Sequence, residues 1–174
     1  MGGSATFQES FEARLKIINP SCETVKKFLE SHSPLLTPGV KEFVNLLRSK
    51  GCDVYLVSGG IMEIIEPVAA LLDIPKENVF ANRLKYFYSG EFAGFDKTCP
   101  TSRSGGKPVV VEKLKKQHGY QRLVMIGDGV TDMEACPPAD AFIGFGVNVQ
   151  RKAVKEKSKW FALSFQEIIN VLKE

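Results

Sequence analysis

Two carboxylates stand close together after an apolar run in Met125-Ile126-Gly127-Asp128-Gly129-Val130-Thr131-Asp132. Apolar residues ending at a glycine-flanked acid predict a buried strand that delivers Asp128 and Asp132 into a tight turn. Carboxyl ends of strands are where open α/β sheets bind ligands. Two oxygen donors held this way suit a hard cation such as Mg2+, which takes one or two carboxylates together with substrate phosphate. A plainer role is equally open to them, shaping the turn and capping the next helix. Ser58-Gly59-Gly60 follows a second apolar run, Val54-Tyr55-Leu56-Val57. A hydroxyl and bare amides at the start of a helix make an anion cradle, because the first N–H groups are unpaired and the helix dipole favours negative charge. Taken alone, the serine also suits an ordinary N-cap. Ser104-Gly105-Gly106-Lys107 sets an ammonium at the mouth of a helix, where it could neutralise a phosphoryl group or simply stay solvated. A serine, a lysine and paired aspartates, each after a strand or ahead of a helix, together point to phosphoryl transfer. That chemistry rests on positioning and charge stabilisation.

The elements that must position these groups follow from the pattern. Helices are expected over residues 6–17 and 22–32, broken at Asn19-Pro20, and then from Thr37 as N-cap with Pro38 in the first helical position. Val40, Phe43, Val44, Leu46 and Leu47 give that third helix an apolar stripe, and Gly51 ends it. Residues 54–57 read as a buried strand and are followed by a helix with Ile61, Ile64, Ile65, Val68, Leu71 and Leu72 on its buried side. Residues 79–95, with alternation at Tyr86-Phe87-Tyr88 and a turn at Ser89-Gly90, suggest a β-hairpin excursion. A lysine-rich helix over 108–118, strands over 123–126, 141–145 and 160–163, and a helix over 165–172 complete the chain. Helices alternating with strands predict an α/β fold, a doubly wound parallel sheet.

The bulk properties narrow the function. At 174 residues the chain is long enough to bury a core as one domain. Its net charge is only +3, and the densest basic cluster (Lys152, Lys155, Lys157, Lys159) is spread by helical spacing and interrupted by Glu156, a solvated face and not a nucleic-acid patch. The four cysteines form no CxxC pair and have no nearby histidines at ligand spacing, which argues against a zinc site or a disulfide-stapled domain. No apolar stretch approaches the roughly 20 residues of a membrane span, and the amino end has no signal-peptide layout. The expectation is a soluble cytoplasmic protein with no nucleic-acid or membrane partner.

These residues resemble motifs two, three and four of the haloacid dehalogenase superfamily of phosphohydrolases. Val54 through Gly60, Asn78 through Leu84, Gly94-Phe95-Asp96 and Met125 through Ala141 are similar, more narrowly, to the animal phosphoserine phosphatase family, and the resemblance runs from Met1 to Glu174. It implies a Rossmannoid core over residues 34–174 with a β-hairpin insertion, and the remnant of a helical cap over 1–33. It implies hydrolysis of O-phospho-L-serine to L-serine and phosphate with Mg2+, the last step of serine biosynthesis, and points to a homodimer. Carried over, Ser58 binds the phosphoryl group, with Gly59 and Gly60 lending backbone contacts, and Lys107 stabilises the negative charge of the reacting groups. Asp128 is a Mg2+ ligand, Asp132 supports the metal from behind or through water, and Thr131 touches substrate. Arg14 meets the substrate carboxylate, with Arg151 nearby. Met1 and Gly2 match a Met-Gly-Gly stretch of the cap, which weighs against reading Met1-Gly2-Gly3-Ser4 as an expression scar.

The family's first motif, Asp-x-Asp-x-Thr or Val, has no counterpart in this sequence. Its two aspartates are the nucleophile that forms the aspartyl-phosphate and the acid/base that protonates the leaving serine oxygen. In the superfamily the strand before that motif lies mid-sheet, between the strands ending at Ser58 and at Gly127. Without it, buried backbone groups go unpaired at roughly 1–3 kcal/mol each, against a total stability of about 5–15 kcal/mol. The expectation is therefore a phosphoserine phosphatase sequence shortened upstream of Met1, inactive alone and marginally stable. A second reading is a non-catalytic remnant that binds phosphate or phosphoserine, or an interaction partner of the full-length enzyme. A dinucleotide-binding Rossmann domain is excluded by the lack of a GxGxxG motif opening the first helix.

Overall fold

The computed structural model describes residues 6–174. In chain order the elements are α1 (Phe7–Ile18), α2 (Cys22–Ser31), α3 (Val40–Ser49), β1 (Leu56–Ile61), α4 (Met62–Leu71), β2 (Val79–Asn82), β3 (Leu84–Tyr86), β4 (Phe92–Phe95), α5 (Gly106–His118), β5 (Val124–Gly127), α6 (Val130–Met133), β6 (Ala141–Phe145), α7 (Lys152–Lys157), β7 (Trp160–Ala162) and α8 (Phe165–Lys173). The chain divides into two compact units: residues up to Leu35 with Tyr55–Gly106, and Leu36–Val54 with Lys107–Glu174. Residues 55–106 share a unit with the amino-terminal helices.

In the first unit α1 opens with a capping box, Thr6 Oγ1 accepting the Glu9 N–H while the Glu9 side chain accepts the Thr6 N–H. Phe7, Phe11 and Leu15 recur at helical spacing along one face of α1. Phe11 and Leu15 join Val25 of α2, Leu84 of β3 and Phe95 of β4 in one core cluster. Phe11 meets Phe95 edge-on at 5.1 Å. The sheet of this unit pairs β1 with β2 in parallel, and β3 with β4 forms an antiparallel hairpin.

The second unit holds a three-stranded parallel sheet in the order β5-β6-β7. Alternation along its strands serves both faces. Ile126 and Ile143 pack with Phe43 of α3 and with Ile168 and Ile169 of α8. Met125 and Phe142 pack on the other side with Val111 of α5, Ala135 and Ala139. A parallel sheet with helices on both faces is the doubly wound architecture.

Several local expectations change. Thr37 is not an N-cap: α3 starts at Val40 behind Gly39, whose φ of +80° provides the turn, and the Val40 N–H bonds to the Thr37 carbonyl at 3.1 Å. Strand β1 begins at Leu56 and not at Val54, and it runs through Ser58-Gly59-Gly60 to Ile61. The hairpin is confined to residues 84–95, because Val79–Asn82 finds a parallel partner in β1. Leu71, expected on the buried side of α4, is exposed.

Candidate functional site

Each unit carries part of the expected chemistry. In the first, Ser58, Gly59 and Gly60 lie within β1, and α4 starts only at Met62 with Ile61 as its N-cap. The helix-start cradle expected from sequence is thus replaced by a strand-end segment. The Gly60 N–H donates to Ser58 Oγ at 3.0 Å, so the hydroxyl accepts within its own segment and retains an O–H donor. A Cβ on Gly59 would stand 2.7 Å from Cζ of Phe7, so the ring would have to shift to admit one. The Gly59 carbonyl accepts from Asn82 Nδ2 at 2.9 Å, and Thr101 Oγ1 donates to Asn82 Oδ1 at 2.8 Å. Asn82 and Thr101 were not picked out individually from sequence. The available signal was an uncharged polar residue closing an apolar run at Val79-Phe80-Ala81.

Arg14, on the exposed side of α1, donates its Nε–H to the Ser10 carbonyl at 3.1 Å. Met1 and Gly2 lie outside the described residues. Tyr86 of β3 has a buried, unpartnered hydroxyl, as Glu63 has a buried, unpartnered Oε2. Burial, aided by the charges of Glu63 and Cys22, pushes the Tyr86 phenol up to about 12.

In the second unit Lys107 occupies the first turn of α5, and its Nζ meets Asp132 Oδ1 at 2.5 Å. Both side chains are largely buried, 15% and 9% exposed. The second carboxylate oxygen of Asp132 accepts the Gly129 N–H at 3.0 Å. The carboxyl group lies directly over Gly127, where any Cβ would overlap it. Asp132 thus holds Lys107 with one oxygen and the Gly129 amide with the other, and its charge fixes the lysine ammonium at the carboxyl end of β5. Thr131 is half-buried beside it in α6. Asp128 differs from its neighbour. Its Oδ2 accepts from Arg151 Nε at 3.1 Å, with the two side chains 46% and 56% exposed, so the pair is open to exchange.

The acids can be weighed as metal ligands on this donor set. Asp128 is an accessible hard oxygen ligand, whereas Asp132 is largely buried and already holds Lys107 and the Gly129 amide. Among the described residues no three His, Cys, Asp or Glu side chains converge. The described residues thus fit one ligand position of a hard cation and do not by themselves make a metal centre. No described helix is long and apolar enough to cross a membrane.

Residues 1–140 match the model of the haloacid dehalogenase-like hydrolases. The chain is 51% identical to phosphoserine phosphatase of Bos taurus over 174 residues, all of this chain and 77% of the relative. It is likewise 51% identical to phosphoserine phosphatase of Rattus norvegicus, with the same coverage. A crystal structure of a phosphoserine phosphohydrolase-like protein from Francisella tularensis superposes with a TM-score of 0.83 at 31% identity, covering 96% of this chain and 77% of that one. The chain belongs to the haloacid dehalogenase-like hydrolases and, within them, to the phosphoserine phosphatase family.

Proposed function

We propose that this chain binds O-phospho-L-serine through the phosphoryl-handling residues of a phosphatase that releases L-serine and phosphate in serine biosynthesis. The observation that carries the reading is the Ser58 hydroxyl, which accepts from its own segment at Gly60; its O–H donor is the group that would meet a phosphoryl oxygen. In this reading Gly59 and Gly60 let the ligand approach the backbone, and Lys107, held by Asp132, neutralises phosphoryl charge. Arg14 takes the substrate carboxylate, and Thr131 with Met1 and Gly2 adds substrate contacts. Residues 1–33 serve as the part of a cap present in this chain, over a core of 34–174.

Asp128 supplies an accessible carboxylate to Mg2+, after exchange of Arg151, with Asp132 behind it. A bound divalent cation would add charge stabilisation on the phosphoryl oxygens. The sequence contains no Asp-x-Asp, so nothing here attacks phosphorus or protonates the leaving oxygen in the manner of the family. The chain alone is therefore a binder and not a catalyst. Cytoplasmic location and a homodimer belong to the same reading, and the four free cysteines support a reducing compartment. The test is Mg2+-dependent phosphate release from O-phospho-L-serine by the purified chain against Lys107→Ala. Equal, background rates are expected, and turnover above the variant overturns the binder reading.

A further inference from the structure

Strands β1 and β2 lose register where the phosphate-facing residues lie. Val57 pairs with Phe80 and Ile61 with Asn82, so Ser58, Gly59 and Gly60 stand opposite the single residue Ala81. A bulge of this kind re-aims side chains at a strand end, and the backbone groups it releases need new partners. Gly60 gives its N–H to Ser58 Oγ, and Gly59 gives its carbonyl to Asn82 Nδ2. Asn82 is completely buried. Its carboxamide has one workable orientation, because the carbonyl oxygens of Gly59 and Thr101 (2.9 and 3.5 Å) face its NH2 group while the Thr101 hydroxyl donates to Oδ1.

We propose that Asn82 is a positioning residue for phosphate binding: its carboxamide, oriented by Thr101, fixes the Gly59 carbonyl and so holds the Ser58–Gly60 segment in the conformation in which Ser58 Oγ accepts from Gly60. The inference rests on the reading of Ser58 as the phosphoryl-binding residue. Asparagine is the residue type the site requires, since it must donate to one neighbour and accept from another. Aspartate has the shape without the donor. Leucine has neither group, and glutamine is a methylene too long.

The test uses the full chain with inorganic phosphate as probe, followed by 31P NMR titration, in the wild type, Ser58→Ala, Asn82→Asp and Thr101→Val. At pH 9 Asn82→Asp should weaken phosphate binding about tenfold and Thr101→Val roughly threefold. Burial beside two carbonyl oxygens raises the introduced carboxyl above the ordinary carboxylate range; as pH falls from 9 toward 5 it takes up a proton and becomes a donor again, so the ratio of wild-type to Asn82→Asp affinity should shrink. A merely structural role leaves that ratio flat, and a flat ratio overturns the proposal. Wild-type affinity in Asn82→Asp at pH 9 overturns the proposal while leaving the role of Ser58 intact. Wild-type affinity in Ser58→Ala, or no phosphate binding by the wild type, overturns both. Should Asn82→Asp fail to fold, a native amide spectrum with unchanged affinity in Thr101→Val overturns the proposal.

Discussion

The carboxyl ends of β1 and β5 are both glycine-rich, yet they are held by different physics. At β1 every contact is neutral: an amide to a hydroxyl, a carboxamide to a carbonyl, a threonine behind the carboxamide. At β5 the contacts are charged, with Lys107 on Asp132 and Arg151 on Asp128. The neutral set depends on shape and burial and is insensitive to salt. The charged set divides by exposure, because the desolvated pair is rigid and the half-exposed pair is weak and exchangeable. Each form suits its task, one end presenting a fixed hydroxyl and the other a fixed cation beside a carboxylate that can change partners.

The comparison can be broken at its strongest point first. Asp132→Asn leaves a largely buried ammonium without its counter-charge and should cost the second unit about 3–5 kcal/mol. Urea unfolding followed by the fluorescence of Trp160, the single tryptophan, measures it; a loss below 1 kcal/mol would show the pair to be hydrated. Gly59→Ala drives a methyl into Phe7 and should destabilise the first unit by roughly 1–3 kcal/mol. Adding Phe7→Leu should recover part of that loss if the clash is its source.

A titration sharpens the contrast on the neutral side. Burial raises the Tyr86 phenol from 10.0 to about 12. A raised folded value means that its contribution to stability is complete below pH 10 and is lost as pH rises through 12. Absorbance at 295 nm should show a tyrosinate step near 12 that is absent in Tyr86→Phe. The smallest effect belongs to Arg151→Gln, at most about 1 kcal/mol of stability for so exposed a pair, read by the same urea titration.

Residue types and their local elements were legible in the sequence. The helix expected over residues 6–17 is α1, Phe7–Ile18, and Ala141–Phe145 is a strand with the limits its composition predicts. Ser58, Lys107, Asp128 and Asp132 stand out by type and by the glycines around them. What they touch was not legible. Asp132 finds Lys107 across 25 positions, and Gly59 finds Asn82 across 23. Ser-Gly-Gly has poor strand propensity, so its place in β1 comes from pairing with a strand some twenty residues later. Thr37 has the right chemistry for an N-cap, but a glycine able to take positive φ two residues on moved the helix start.

Calorimetric titration of O-phospho-L-serine into the chain and into Ser58→Ala tests the central claim most directly. A hydrogen bond to a charged ligand contributes about 1.5–3 kcal/mol, so the variant should bind at least about tenfold more weakly. Equal affinities in the two proteins would contradict the assignment of Ser58 as the phosphoryl-binding residue.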